Sequence, residues 1–81
     1  MDHKRSVEHY RDHELVCEIH PDGGGWAYTI HVLGHDGDTD RLRREECSAK
    51  RFATDLEALH EARARSRALV DTLFDDGAIA D

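Results

Sequence analysis

The chain has 81 residues, 36% of them charged, and a net charge of -7 with neutral histidine. A chain this short buries only about 60% of the surface its unfolded form exposes, enough for one domain with a thin core. The acidic balance argues against nucleic acid as a partner, since such binding rests on Lys and Arg neutralising phosphates, and no apolar run is long enough to span a bilayer.

Residues 1–9 are polar and charged with no period, and are expected to form a mobile N-terminal arm. A single α+β domain should cover residues 10–75, with a tail at 76–81. From His13 to His20 the pattern alternates. Leu15, Cys17 and Ile19 face one side of a half-buried strand, and Glu14, Glu18 and His20 the other. Val16 places an apolar residue on the polar side. Pro21-Asp22-Gly23-Gly24-Gly25 is a turn. Trp26–Leu33 follows as a second strand, with Trp26, Tyr28, Ile30 and Val32 on one face and Ala27, Thr29, His31 and Leu33 on the other. A second turn is expected at Gly34-His35-Asp36-Gly37-Asp38, where Asp-Gly is a strong hairpin signal. Arg41–Ser48 reads as a third, charged edge strand, with a charged loop as the competing reading.

Thr54-Asp55-Leu56-Glu57 opens a helix with a capping box. The helix runs to about Phe74, with Leu59, Ala62, Ser66, Leu69, Val70 and Leu73 on one stripe, and Asp75-Asp76-Gly77 should stop it. Phe52 should plug one end of the core. The expected fold is therefore α+β: a three-stranded antiparallel sheet followed by one long amphipathic helix, in the order β-β-β-α.

Chemistry-bearing motifs are incomplete. Asp36, Asp38 and Asp40 alternate like a calcium loop, but Arg41 stands where Gly is needed and Cys47 where the bidentate Glu is needed. Gly23-Gly24-Gly25 precedes a strand, whereas a phosphate cradle precedes a helix. His60-Glu61 lacks the second His of a metalloprotease helix. Cys17 and Cys47 form no Cys-x-x-Cys pair. We expect no catalytic residues and no cofactor, and an enzyme ranks last among the functional readings. Among the seven His, the best metal patch is Glu18, His20 and His31, which share the outer sheet face; convergence of three or four ligands is the requirement.

The order strand, Asp22-Gly23-Gly24-Gly25-Trp26 turn, strand, strand, then Phe52-Ala53-Thr54 leading into Leu56-Glu57-Ala58-Leu59 resembles small bacterial β-β-β-α proteins. HicB-type antitoxins share this layout, although the Pro-rich segment and appended DNA-binding region of that family are absent. The resemblance implies the fold and a tendency to dimerise, and no functional residues.

One helix covers one face of such a sheet. The other face would carry Val16, Ala27, Thr29, His31 and Leu33, too apolar for a solvated surface, so a homodimer is expected, with that face as the interface or with edge strands joined. The expected function is a small cytoplasmic homodimeric interaction or regulatory module. The rivals are an antitoxin-like protein binding a partner with a basic surface, steered by opposite charge, and a histidine-based metal-binding protein.

Overall fold

The computed structural model describes residues 3–36 and 39–79. They form an α+β unit in the order β1 (Lys4–Tyr10), β2 (His13–Asp22), β3 (Gly25–Asp36), β4 (Thr39–Cys47) and α1 (Asp55–Ile79). The sheet has four strands in sequential order, every neighbour antiparallel. The expected three-stranded sheet is thus corrected to four, because residues 4–10 form β1 where an arm was anticipated. The physical reason lies in its composition. Val7 is the one apolar residue of Lys4–His9, so no hydrophobic alternation marks the strand. Its helix-side residues Lys4, Glu8 and Tyr10 are held by polar contacts to α1.

Two-residue hairpins join the first three strands. Tyr10 pairs with His13 across Arg11 and Asp12, and both turn residues have positive φ, 51° and 65°. Asp22 pairs with Gly25 across Gly23 and Gly24, at 56° and 90°. Both are the tight turns whose twist matches the strands they join. Arg41–Cys47 lies within β4, which settles the choice between strand and charged loop. The register slips between Val32 and Leu33, a bulge in the β3–β4 pairing. The Gly37-Asp38 part of the expected second turn lies outside the described residues.

Beyond β4 the chain bridges back to β3. The Phe52 N–H donates to the Trp26 carbonyl at 2.8 Å, and the Trp26 N–H to Phe52 at 2.9 Å. Phe52 stacks on Tyr28 with centroids 5.9 Å apart, closing one end of the core as expected. Thr54 caps α1: its hydroxyl accepts the Glu57 N–H at 3.1 Å and donates to the Glu57 carboxylate at 3.3 Å.

The helix lies across β2 and β3. Its fully buried residues are Ala58, Ala62, Ser66 and Val70, one every four positions. Leu59, Leu69 and Leu73 pack beside them and are only partly buried. Small side chains along the contact line let the helix sit close to Leu15, Cys17, Ile19, Ile30 and Val32. The helix also continues through Gly77 to Ile79, past the expected stop. One interior Gly costs about 1 kcal/mol in a helix and does not end it alone.

Ion pairs brace α1 on both flanks. Toward β4, Arg65 makes a two-pronged contact with Glu46 at 2.5 and 2.9 Å. Toward β1, Arg67 binds Glu8, Asp55 binds Lys4, and Asp71 accepts from Tyr10 at 2.9 Å and from Arg11 at 2.7 Å.

Candidate interaction surface

Strand alternation sorts the side chains into two faces, and α1 covers one. Directly paired residues share a face, so the register assigns the other face row by row. Val7, Val16, His31 and Glu45 form the middle row of this face, flanked on one side by the row His9, Glu14, Leu33 and Leu42 and on the other by the row Arg5, Glu18, Thr29 and Cys47. Ala27 stands beside His20 at one end. Among the described residues nothing covers this face.

The expected interface residues Val16, Ala27, Thr29, His31 and Leu33 therefore do lie together. Their exposure is uneven. Val16 and Ala27 are only 5% and 8% exposed, shaded by neighbours on the same face. The open apolar surface lies on the two edge strands, at Val7 (49%) and Leu42 (51%). Sequence reasoning missed Val7 because it sits alone among charged residues. The turn pair Arg11-Asp12 was the available signal, and it is an uncommon one because L-residues other than Asn and Asp seldom adopt positive φ.

The metal candidates do not converge. His20 pairs with Ala27 and His31 with Val16, four positions apart along the sheet. At about 3.4 Å per residue that separation is roughly 14 Å. The His31 Nε2 is engaged by Glu45 at 2.7 Å, and His20 packs edge-on to His3 at 6.1 Å. Among the described residues no group of three or more His, Cys, Asp or Glu is arranged to hold a metal ion.

The thiols differ. Cys17 is buried beneath α1, with Ser66 Oγ 3.9 Å away, and burial pushes its thiol up from the ordinary value. Cys47 is exposed on the bare face. On the helix side Asp71 is held below the usual carboxylate range by the Arg11 and Tyr10 hydrogen bonds, and Tyr10 is correspondingly raised by donating to Asp71. Each group has a structural partner and none faces a substrate-sized enclosure. The open groove along the start of α1, about 650 Å³, mixes Lys50, Glu57, Glu61 and Arg63 with exposed Leu56 and has no convergent polar set.

No described helix is long and apolar enough to cross a membrane. Compared with protein-family models, curated proteins and solved structures, the chain matches none.

Proposed function

We propose that this chain acts by association: it is a small homodimeric interaction or regulatory module, and the bare sheet face is the surface through which it works. The single observation behind the reading is that face. It carries half-exposed Val7 and Leu42 around Val16, Ala27 and Leu33, and α1 is spent on the opposite side. An uncovered apolar stretch on a chain this small is worth removing from water, at about 25 cal/mol per Å² buried. The titratable side chains of the bare face meet in pairs, His31 with Glu45 and His9 with Glu14, and among the described residues no group of three or more is arranged to hold a metal ion. Sedimentation equilibrium at neutral pH tests the reading. The expected mass is roughly twice the 9.2 kDa of the chain. A single-chain mass at high micromolar concentration would overturn it.

A further inference from the structure

The two sheet edges are built differently. β4 is dense with charge, at Arg41, Arg43, Arg44, Glu45 and Glu46, and its pairing carries the bulge. Charge and bulges are the devices by which sheet edges avoid further pairing. β1 is an unbroken run of seven residues with no bulge and no proline. Two of its charges, Lys4 and Glu8, are already drawn onto α1.

The β1–β2 turn settles which backbone groups of β1 face outward. In a two-residue hairpin the residues flanking the loop exchange both hydrogen bonds, and bonded and non-bonded pairs then alternate. Tyr10–His13, Glu8–Leu15, Ser6–Cys17 and Lys4–Ile19 are accordingly the bonded pairs. Arg5, Val7 and His9 direct their N–H and C=O groups away from β2, to the edge.

We propose that two copies join antiparallel along β1, with the two-fold axis at Val7, into one continuous eight-stranded sheet. This rests on the homodimer reading but places the contact between copies at the β1 edge, leaving the bare face for a further partner. Val7 is the midpoint of Lys4–Tyr10, so symmetric pairing uses the whole strand. Val7 faces the partner's Val7, and Arg5 faces the partner's His9, each pair exchanging both backbone bonds. Ser6 then stands beside the partner's Glu8 on the helix side. There the structure holds an unusual acceptor. Glu8 Oε1 is buried and lacks a hydrogen-bond donor among the described residues, with Arg63 Nε at 3.8 Å. That oxygen is enclosed by its own chain beside Arg63, so the pairing rests on the outward backbone groups of β1 and on no new side-chain bond. On the bare face, Val16, Val7, the partner's Val7 and the partner's Val16 form one apolar line, so the dimer doubles the interaction surface and leaves it open.

Disulfide trapping tests the geometry. In a Cys47→Ser background, Val7→Cys is expected to cross-link to its own copy with oxidised glutathione as oxidant. Arg5→Cys, which faces position 9 of the partner, should not cross-link to itself. In sedimentation, Val7→Pro removes only an outward N–H, at an edge site where proline is tolerated, and should give a folded monomer by circular dichroism. Leu33→Glu, on the bare face, should leave the mass unchanged. A wild type of twice the chain mass that loses its partner in Leu33→Glu, with no Val7→Cys cross-link, would overturn edge pairing and keep the homodimer. A monomeric wild type would overturn both.

Discussion

Arg11 and Asp12 sit in left-handed backbone that costs an L-residue about 1–2 kcal/mol, less for Asp. Arg11 has compensation: its guanidinium binds Asp71 at 2.7 Å and lies 4.0 Å from the Phe74 ring centroid, while its carbonyl meets His13 Nδ1 at 2.8 Å. Asp12, exposed like Arg11, is the second residue of the turn. Asp12→Gly is therefore expected to hold or raise stability, and Asp12→Val to lower it by roughly 1–2 kcal/mol; urea melts of the two variants decide. The thiols offer a second comparison at this scale. Native protein should show one fast-reacting thiol, Cys47, because Cys17 is buried and kept protonated. Two equally fast thiols would mean that α1 does not cover Cys17.

At the scale of the element, α1 is fastened by small residues below and ion pairs at its flanks. Ala62 is fully buried against the sheet, so Ala62→Leu should overpack the contact and cost about 1–3 kcal/mol. Leu56→Ala, on an exposed position of the same helix, should be near neutral in the same thermal melts. The ion pairs set the response to acid. Glu46 is lowered by the Arg65 hydrogen bonds, Asp55 by Lys4, and Asp71 by Arg11 and Tyr10. For each, the folded form takes up its proton at lower pH than the unfolded chain. Their stabilisation is complete above the ordinary carboxylate range, near pH 4, and is lost as pH falls through the depressed values. Melting temperature should drop over that window, and Glu46→Gln should flatten part of the drop. A melting temperature that rises as pH falls from 4 to 2 would contradict the flank contacts.

For the molecule as a whole, the sequence was legible where burial writes a period and illegible where charge does the holding. β2 and β3 alternate because one face packs under α1, and the register paired Leu15, Cys17 and Ile19 with Val32, Ile30 and Tyr28. β1 has a polar helix-side face held by Glu8, Lys4 and Tyr10, so it looked like an arm. The stripe of α1 was legible, with Ala62, Ser66 and Val70 in it; Ala58 was missed, and Leu59, Leu69 and Leu73 proved to be flanking residues only partly buried. The bare face was legible in Val16, Ala27 and Leu33. Its most exposed apolar positions, Val7 and Leu42, were hidden by charged neighbours.

The edge of β1 carries the central claim, that the chain self-associates by extending its own sheet. Concentration-dependent amide exchange reads it directly. The outward N–H groups of Arg5, Val7 and His9 should be protected at high micromolar concentration and exchange rapidly on dilution, while the inward N–H groups of Ser6 and Glu8 stay protected throughout. A Val7 amide that exchanges freely at every concentration, in a sample whose mass is twice that of the chain, would contradict the account.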